Sequence, residues 1–587
     1  MKGVYGKVLE IDLTHETSNT IEIPDSIYES LIGGKGLATY LLLKKNKPNI
    51  DPFSPDNHVV IALGPTVNTK VWGSSRYGLF SKSPQTGIYA ESYSGGSVAE
   101  FMGHVGYDAF ILRGAASSPT VLEITDNGIT FHEAGNIWGM EVYDAQDAVR
   151  DLVGKQSGIM VIGPAGENLV RFSLVANNYW RSAGRTGIGA VLGAKNIKGM
   201  AFSGSAQKEV AEPEILEELW SQISSERKTN PVIQGFKTKG TPALVSVLNK
   251  IGSFPTRYWS KGTLDGWENI SAEGLHEQCN VKPHACAKCL MACGRLTEVR
   301  DGRHKGLKLE GPEFETIYSF GGLCEIPNIN EIVYLNDVCD RLGLDTITAG
   351  NLAAFTIEAS RRGKIKEKYD YGDVDGIVSL LNDIAYRRGI GAVLAEGIRH
   401  AAQEWGMKDI AIHVKGLEPS AYDPRVLKGM GLAYATSDRG ACHLRSTVFK
   451  AELSGQIAPD EIEGKAEIAI DFEDRLTLHD AFITCRFYRD IYAWDGLAKI
   501  IQGTMGMKLN HDGLKEIAAN IRNLSRRFNL REGISKKDDT LPPRYFSEPI
   551  SGGKVIKPEE LEKMIQNYYQ LRGWNEDGIP VDDLDFG

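Results

Sequence analysis

The sequence predicts an α+β protein in which an N-terminal β-sheet domain is followed by two mainly helical domains. Short strand-like runs separated by Gly-rich turns occupy the first 208 residues, whereas apolar residues recur every three or four positions in the rest. A polar, Pro-containing segment at residues 203–213 marks the change. The predicted domains are residues 1–208, 209–388 and 389–587, and three domains suit a chain of 587 residues.

Five runs of the first domain are predicted to form strands. They are residues 4–13, 59–63, 110–113, 120–124 and 158–162. Gly-rich loops between them, at residues 33–36, 73–76, 94–96 and 183–189, match neither a Walker loop nor a dinucleotide fingerprint. We expect their backbone N–H groups, with Arg76 and Arg185, to surround a phosphate or another anion. The alternative is that both arginines form ordinary salt bridges.

Ten segments of the remaining chain are predicted to be helical from their apolar spacing. They are residues 214–224, 241–251, 329–342, 347–361, 373–388, 390–405, 460–470, 480–487, 514–528 and 558–569. A second domain boundary is placed within residues 387–391. Residues 531–544 form a long polar segment with two prolines, which is predicted to be a loop that crosses a surface or closes over a site.

The overall charge and the hydropathy pattern exclude two classes of partner. The chain carries 66 basic and 76 acidic side chains, a net charge of −10, which disfavours nucleic acid because phosphate binding needs a basic face. No uncharged apolar run reaches the roughly 18 residues of a membrane helix, and the N-terminus has no apolar signal core. The sequence therefore predicts a cytoplasmic protein without membrane insertion.

The strongest chemical signal is a group of three cysteines, Cys286, Cys289 and Cys293, spaced C-x2-C-x3-C. Thiolates are soft ligands, and three on one loop can hold three corners of a [4Fe–4S] cluster. A four-cysteine zinc site usually has two C-x2-C halves, and no second half exists here, although zinc remains the alternative. One further cysteine should complete the site, and the candidates are Cys279, Cys324, Cys339, Cys442 and Cys485.

Two other segments share a spacing that suggests related half-sites. Asp340 is followed five residues later by Asp345, and Asp480 is followed five residues later by Cys485. Two aspartates on either side of one ligand could accept hydrogen bonds from the N–H groups of a heterocycle. Each aspartate alone is better explained as a helix cap or a surface salt-bridge partner.

Candidate acid–base residues follow the cysteine loop and the middle helices. Glu313 and Glu315 lie near the cysteine loop in sequence, and His413 and Lys415 are predicted to share one face of a strand. A histidine and a glutamate that converge on a metal centre would supply general acid–base chemistry. His443 is a second candidate of equal weight. The alternative for each histidine is a packed, hydrogen-bonded core residue.

Five motifs together resemble the tungsten-containing aldehyde:ferredoxin oxidoreductase family. They are the Cys286/Cys289/Cys293 loop, residues 340–345 (D-x-x-G-L-D), residues 480–485 (D-x4-C), residues 182–187 (S-A-G-R-T-G) and residues 413–416 (H-V-K-G). The resemblance extends over nearly the whole chain, from residue 6 to residue 533. It implies an N-terminal β domain that forms a saddle under a tungsten bis-pterin cofactor, which two helical domains enclose.

The resemblance also assigns residues to that cofactor and its neighbours. The four cluster ligands would be Cys286, Cys289, Cys293 and Cys485. Segments that hold the pterin phosphates and a bridging Mg²⁺ contain Arg76, Tyr93, Gly95, Ser182, Ala183 and Arg185. Segments that contact the pterins contain Asp340, Leu344, Asp345, Lys415, Asp480 and Thr484. Glu315 and His413 resemble the acid–base pair nearest the tungsten.

The activity that the resemblance implies is oxidation of an aldehyde to a carboxylic acid. Electrons would pass through the [4Fe–4S] cluster to ferredoxin or to a small polyferredoxin subunit. His413 would polarise or protonate the aldehyde oxygen, and Glu315 would accept a proton from the attacking water. The alternatives are an acyl-CoA (aromatic ring) or carboxylic acid reductase on the same fold, and an electron-transfer subunit that binds only the cluster. Molybdenum is the alternative metal.

Three departures from the family pattern carry their own expectations. Tyr93 stands where the best-known members have the Asn beside Mg²⁺. Tyr334 and Asp337 replace a Glu and a His that bind an iron between subunits, so we expect that iron to be absent and a hetero-oligomer with a polyferredoxin instead. Cys324 is a candidate tungsten ligand of the kind found in the ring-reducing branch, although a small buried hydrophobic residue is the simpler expectation.

Overall fold

The computed structural model describes residues 1–582, and its N-terminal part is built on two six-stranded sheets. The strands are β1 (Lys7–Asp12), β2 (Thr17–Glu22), β3 (Val59–Ala62), β4 (Tyr77–Lys82), β5 (Tyr89–Ser94), β6 (Ala109–Arg113), β7 (Thr120–Thr125), β8 (Gly128–Glu133), β9 (Gly158–Ile162), β10 (Val175–Asn177), β11 (Arg181–Ala183) and β12 (Ile197–Ser203). The helices are α1 (Asp25–Leu31), α2 (Gly34–Lys45), α3 (Val98–Met102), α4 (Val142–Val153), α5 (Pro164–Glu167) and α6 (Ile188–Ala194).

Strand order in the two sheets explains why the central strands are apolar along their whole length. The first sheet runs β2-β1-β6-β3-β4-β5 and the second runs β11-β10-β9-β12-β7-β8. Val60 and Phe80 pack with helix α2 on one face of the first sheet, whereas Val59 and Leu79 pack on the other face with residues of the second sheet. Because both faces of β3 and β4 are covered, alternation of apolar and polar residues is lost there.

The rest of the described chain is mainly helical, with one small sheet beside the cysteine loop. Its strands are β13 (Cys279–His284), β14 (Gly294–Val299) and β15 (Lys308–Glu310). The helices are α7 (Pro213–Glu226), α8 (Pro231–Thr238), α9 (Leu244–Lys250), α10 (Ala272–Gln278), α11 (Phe314–Thr316), α12 (Ile329–Leu342), α13 (Thr346–Arg361), α14 (Val374–Ala385), α15 (Ile390–Leu394), α16 (Ile398–Glu404), α17 (Lys428–Thr436), α18 (Phe449–Leu453), α19 (Lys465–Phe482), α20 (Trp494–Met505), α21 (His511–Arg531), α22 (Pro543–Ser547) and α23 (Pro558–Leu571). Short 3-10 helices cover Thr241–Ala243, Trp267–Ile270, Arg486–Tyr488 and Lys536–Asp538, and a π-helical stretch covers Ile317–Gly322.

The α+β fold class is confirmed, and so are the five predicted strands and most predicted helices. Three predictions about the extent of a helix or loop were wrong. Residues 390–405 form two helices because the chain breaks after Leu394 and resumes beyond Gly397, whose φ is 87°. Residues 480–487 do not form a helix of their own, since α19 ends at Phe482 with Ile483 in the left-handed region. Residues 531–544 include the last residue of α21 and a 3-10 turn and are not one continuous loop.

His413 and Lys415 do not lie on a strand, which corrects the expectation that they share a face. Val414 forms an isolated bridge with Leu417, and Lys415 adopts a φ of 53°. A left-handed residue interrupts the alternation that a strand requires. The side chains of His413 and Lys415 therefore contact different parts of the protein.

The N-terminal sheets and the helical part meet along helix α2. Gly34 begins this helix with a φ of 41°, and a Cβ there would lie 2.5 Å from the carbonyl oxygens of Asp480 and Ala481. The Gly-rich segment at residues 33–36 therefore lets α2 approach the end of α19. In the part of the chain that the structure describes, no helix is both long and apolar enough to cross a membrane. The domain boundaries at 208 and 388 stay predictions.

Candidate functional site

The structure brings the three cysteines of the loop together with Cys485. Cys286, Cys289 and Cys293 lie between β13 and β14, and Cys485 follows the end of α19. The Cys485 N–H donates to the Gly73 carbonyl at 2.9 Å, and the Gly73 N–H donates to the Lys288 carbonyl at 2.7 Å. Each thiolate of the set would repel others, which shows that the four sulfur atoms share one region.

The environment of these thiols favours a group that replaces their protons. Burial raises the pKa of Cys289 to about 11 and that of Cys293 well above its ordinary value. Arg181 lies near Cys286 and Cys293 and offsets part of this cost. Within residues 1–582, no three His, Cys, Asp or Glu side chains are placed to hold a single metal ion.

Gly95 and Arg76 also lie beside the cysteine loop. A Cβ on Gly95 would lie 2.7 Å from Cys286 Sγ and 3.1 Å from an Arg76 Nη. The described residues give the Arg76 guanidinium no hydrogen-bond or ion-pair partner. Burial raises the pKa of the Cys485 thiol, and Arg76 is close enough to offset part of that rise. An unpartnered guanidinium beside a backbone loop suits an anion, as the sequence predicted.

A second centre lies deeper in the helical part, where Glu315 meets His443. Glu315 Oε1 is 3.6 Å from His443 Nε2, and Oε2 accepts the Ala421 N–H at 3.2 Å. Ser420 Oγ is 2.5 Å from His443 Nδ1 and orients the ring. Both side chains are about 15% exposed, at 16% and 14%, although almost everything around them is buried. They therefore border an internal space.

Burial sets the protonation of this pair. It raises the pKa of Glu315 to about 8, against the opposing effects of the Ala421 N–H and Arg185. Burial also lowers the pKa of His443 well below its usual value, and Arg185 and Arg439 lower it further. At neutral pH Glu315 holds a proton and His443 is neutral. Glu315 Oε1, which is buried without a hydrogen-bond partner, and the His443 ring can therefore pass a proton between them.

His413, the histidine predicted to partner Glu315, lies elsewhere. Its Nδ1 accepts the Gly416 N–H at 3.3 Å, and burial together with Arg399 lowers its pKa to about 4. Among the described residues, no hydrogen bond or ion pair joins it to Glu315. Lys415 is also engaged, because its ammonium lies 2.7 Å from Asp539 Oδ1. The predicted roles of His413 and Lys415 stay predictions.

Arg185 and Asp345, both predicted cofactor residues, form one half of a buried charged frame. Arg185 Nε donates to Asp345 Oδ2 at 3.1 Å, and its Nη atoms donate to the Glu418 and Ala441 carbonyls. Thr348 Oγ1 lies 2.9 Å from Asp345 Oδ2 and 2.8 Å from Glu418 Oε2. One hydroxyl proton cannot serve both carboxylates, so one of them must hold a proton. Burial raises the pKa of Glu418 to about 7, which makes it the holder.

Asp480 anchors the other half of the frame. Arg445 Nη1 donates to Asp480 Oδ2 at 2.9 Å and also to Glu91, and Arg486 Nε donates to Asp480 Oδ1 at 2.9 Å. Lys35 connects Glu91 to Asp438, at 3.1 and 2.7 Å. Burial raises the pKa of Asp480 to about 7 despite these cations. Residues from the N-terminal domain and from the C-terminal helical part therefore converge around Asp480.

The segment 438–445 joins the two halves. Arg439 Nη2 lies 2.9 Å from Cys442 Sγ, and the Leu444 N–H donates to the same sulfur at 3.3 Å. Burial alone would raise the pKa of the Cys442 thiol, but Arg439, Arg445 and Arg185 outweigh it and hold the pKa below its ordinary value. A thiolate is thus stabilised one residue before His443.

The remaining predicted residues border this frame or the cysteine loop. Asp340 accepts a hydrogen bond from Asn336 at 2.7 Å, and burial raises its pKa well above the ordinary value. Tyr93 donates to Glu91 at 2.7 Å, and Thr484 lies 2.7 Å from His479 Nδ1. Leu344 is buried beside Ser173, and Ser182 and Ala183 lie in β11.

Unsatisfied buried atoms test whether these residues fit a large polar ligand. Arg445 Nε and Nη2 and Arg489 Nε are buried donors without a partner, and His479 Nε2 is a buried ring nitrogen without one. Glu315 Oε1, Glu418 Oε1 and Asp438 Oδ1 are buried acceptors without one. Buried polar groups are nearly always paired in proteins, so this concentration fits an anionic heterocycle with several donors and acceptors.

Sequence reasoning missed Arg439, Arg445, Glu418 and Glu91. The available signal was the dense run of Asp, Arg, Cys, His and Arg at residues 438–445, of which only His443, as an acid–base candidate, and Cys442, as a candidate cluster ligand, were named. Lys35, which lies in a loop examined for phosphate binding, is a buried ion-pair residue instead.

Comparison with known proteins identifies the family of the chain. The family model of the aldehyde ferredoxin oxidoreductase N-terminal domain matches residues 8–204, and the model of domains 2 and 3 of the same family matches residues 218–584. The chain belongs to the aldehyde ferredoxin oxidoreductase family. The resemblance read from the sequence is thereby confirmed.

Relatives and a solved structure locate the chain within this family. A tungsten-containing aldehyde ferredoxin oxidoreductase of Pyrococcus furiosus is 33% identical over 100% of this chain and 99% of its own. The WOR-like subunit of an aliphatic sulfonate oxidoreductase from the same organism is 29% identical over 100% and 96%. A chain of the active-site complex BamBC of benzoyl coenzyme A reductase, in complex with 1,5 dienoyl-CoA, shares the fold with a TM-score of 0.85, 23% identity and coverage of 99% and 96%.

Two departures from the family pattern acquire a structural account. Asp337 accepts hydrogen bonds from Arg341 and Tyr143, and Tyr334 stacks on His304 at 4.2 Å, so both side chains have partners within the chain. Cys324 is fully buried, and its thiol donates to the carbonyls of Ser319 and Gly350 at 3.7 and 3.6 Å. Burial raises the pKa of this thiol strongly, and among the described residues no cation offsets that rise as Arg181 does at Cys293, so a thiolate ligand is disfavoured here.

Proposed function

We propose that this chain oxidises aldehydes to carboxylic acids and transfers the electrons through a [4Fe–4S] cluster to a ferredoxin-type protein. The observation that carries the proposal is the Glu315–His443 pair, which borders an internal space inside a frame of unsatisfied buried donors and acceptors. Relatives that match the whole of this chain are named tungsten-containing aldehyde ferredoxin oxidoreductases, which supports the same reaction.

The proposed cofactors follow from the two centres. Cys286, Cys289, Cys293 and Cys485 would hold the cluster, and the frame that includes Arg185, Asp345, Arg445 and Asp480 would hold a tungsten bis-pterin. Arg76 and Gly95 would face its phosphates, with a bridging Mg²⁺ near Tyr93, Ser182 and Ala183. When bound, the tungsten centre supplies the two-electron acceptor that the side chains lack.

The protein's own contribution is to move protons in a dry site. Neutral His443 accepts a proton at Nε2 from the water that adds to the aldehyde carbon, and Ser420 keeps the ring oriented. Protonated Glu315 donates a hydrogen bond from Oε1 to the aldehyde oxygen and so polarises the carbonyl. The buried surroundings exclude bulk water and strengthen both interactions.

Thr348, Glu418 and Gln85 are proposed to keep Arg185 and Asp345 in place. Gln85 Nε2 donates to Glu418 Oε2 at 3.1 Å, and Thr348 connects Glu418 to Asp345. Because the Asp345 and Glu418 carboxylates are both buried and one of them holds a proton, a small movement of Arg185 would leave a buried charge unpaired. The frame is therefore expected to be rigid around any bound cofactor.

The test is metal analysis of anaerobically purified protein followed by a dye-linked aldehyde assay. The expected result is about four irons and one tungsten per chain, with reduction of a viologen dye by at least one aldehyde of a panel. Four irons without tungsten or molybdenum would contradict the cofactor proposal. Fully loaded protein that reduces an acyl thioester but oxidises no aldehyde would contradict the proposed reaction.

A further inference from the structure

A groove of about 580 Å³ lies on the surface directly outside the cysteine loop. Trp72 and Trp220 form its aromatic wall, with ring centroids 5.6 Å apart and planes within 14°. Both tryptophans are only partly buried. We call this surface the Trp72–Trp220 groove. Exposed stacked aromatic side chains beside polar residues are typical of protein interaction sites.

The groove is locally basic in a protein with a net charge of −10. Its lining includes Lys70, Lys208 and Lys288 against a single carboxylate, Glu217. Lys70 pairs with Glu217, and Lys288 pairs with Glu100 at 3.1 Å. Exposed pairs of this kind contribute about 0–1 kcal/mol, so a partner's carboxylates can compete for these lysines.

Lys208 has no such carboxylate partner among the described residues. Its ammonium donates to the Gly64 carbonyl at 3.2 Å. Burial and the charge of Lys288 lower the pKa of Lys208, Asp108 raises it, and the net pKa is about 8. The two ammonium groups repel each other, and only Lys288 has a carboxylate partner, Glu100, so an added negative charge near both is favourable.

Two residues that line the groove, Trp72 and Lys288, lie close to the cysteines proposed to hold the cluster. Trp72 precedes Gly73, whose carbonyl accepts the Cys485 N–H at 2.9 Å, and Lys288 precedes Cys289. The Gly73 N–H donates to the Lys288 carbonyl at 2.7 Å and ties both segments together. An electron that leaves the cysteine centre toward this face crosses only this backbone layer.

We propose that the Trp72–Trp220 groove is the docking site of an acidic ferredoxin-type electron carrier, which binds transiently. The inference rests on the proposed function, since it assumes a cluster on the four cysteines. Charge complementarity selects the partner: acidic side chains around its own cluster would meet the lysines, and an aromatic or aliphatic side chain would cover the tryptophans. Small, charged and wet interfaces are characteristic of short-lived redox encounters.

The test measures cluster reduction and needs no aldehyde. Oxidised holoenzyme is mixed in a stopped-flow instrument with a pre-reduced, purified acidic [4Fe–4S] ferredoxin, and binding is followed separately by biolayer interferometry. The double variant Lys70→Glu/Lys288→Glu is expected to lower both the second-order rate constant and the affinity at least about tenfold at low salt. The loss should shrink to less than about threefold at 300 mM salt, because screening weakens the attraction in the wild type.

The matched control is Lys536→Glu/Lys563→Glu, which reverses two exposed lysines that also pair with glutamates, far from the cysteine loop in sequence. It should leave both values within twofold of the wild type. Lys70→Glu alone, outside the cysteine loop, keeps the test decisive if the Lys288 change lowers iron content, and should cost about threefold. Unchanged rates and affinities in the groove variants, or a complex that keeps its affinity at 500 mM salt, would overturn the proposal.

An inactive enzyme would be told apart from a wrong docking site by the same data. If no aldehyde is oxidised but the groove variants lose ferredoxin affinity, the proposed reaction fails and the docking site stands. If aldehydes reduce a viologen normally and the groove variants exchange electrons with ferredoxin as the wild type does, the docking site fails alone.

Discussion

The cysteine centre and the Glu315–His443 centre are built in opposite ways. The first takes three ligands from one eight-residue stretch and is partly exposed beside backbone loops at Gly73 and Gly95. The second takes its groups from segments far apart in the chain and is held by buried ion pairs. A local motif thus fixes the proposed exit for electrons, whereas long-range charge pairing fixes the proposed site of proton transfer.

Acid–base variants should separate the two centres most strongly. Glu315→Gln and His443→Asn are each expected to lower kcat for aldehyde oxidation by about 100- to 10,000-fold, because each removes a positioned proton-transfer group. Iron and tungsten contents should be unchanged. His413→Asn is the matched control and should cost less than about tenfold; an equal loss in this variant would restore His413 as the acid–base residue.

Gly95→Ala should damage the cysteine centre and leave the inner centre intact. The added Cβ would lie 2.7 Å from Cys286 Sγ, and overpacking of this kind costs about 1–3 kcal/mol. We expect iron content to fall by half or more, measured per chain by elemental analysis. Gly135→Ala, where a Cβ meets nothing within 4 Å, should keep full iron. Normal iron in Gly95→Ala would mean that the loop can move away.

Lys415→Met tests whether this lysine is structural or contacts the cofactor. Its ion pair with Asp539 is buried at both ends, and removal of one partner of such a pair costs about 3–5 kcal/mol. A structural role predicts a lower melting temperature with tungsten content and kcat largely kept in the protein that remains folded. Loss of tungsten without loss of stability would support the pterin contact predicted from the sequence.

Glu418→Gln should change how stability depends on pH. The pKa of Glu418 is raised to about 7 in the folded protein from 4.5, so the wild type loses stability as pH rises between about 4.5 and 7. The amide keeps the contacts with Gln85 and Thr348 and does not ionise. The variant should gain on the order of 3 kcal/mol over the wild type across that window, seen as a smaller fall in melting temperature. Parallel pH profiles would show that Glu418 stays ionised.

Cys324→Ala should have the smallest effect. The thiol fills core space against Ser319 and Gly350, and its loss is expected to cost about 1–2 kcal/mol through a small cavity. Aldehyde oxidation and the tungsten spectrum should be unchanged. A changed spectrum would make Cys324 a metal ligand and would draw this chain toward the ring-reducing reaction.

The sequence predicted what depends on neighbours along the chain. The C-x2-C-x3-C spacing and the apolar runs of β3, β7 and β9 are readable because their partners lie within a few residues or share a period. Strand β5 was missed because Glu91 and Ser92 are buried in it and mask the pattern. Glu91 is tolerated there because Lys35 and Arg445 pair with it and Tyr93 donates a hydrogen bond to it. Such pairings involve no sequence period.

For the same reason, the sequence could not show that His443, and not His413, lies beside Glu315. The two histidines are equally plausible as residue types, and only the fold places Ala421 and His443 against the Glu315 carboxyl. Likewise, Arg185 was expected to face an anion or to form a salt bridge, and the structure gives it Asp345 as a direct partner; the anion stays a prediction. Residue type predicts chemistry, and tertiary contacts decide the neighbour.

The two ion pairs of Lys35 become possible at different times during synthesis of the chain. The Lys35 ammonium reaches Glu91 early in the chain and Asp438 403 residues after itself. At a ribosomal pace of about 5–20 residues per second, Asp438 emerges roughly 17–70 s after Glu91. The ion pair of Lys35 with Asp438 therefore cannot form until most of the chain has been made, and over that interval Glu91 is the carboxylate available to Lys35.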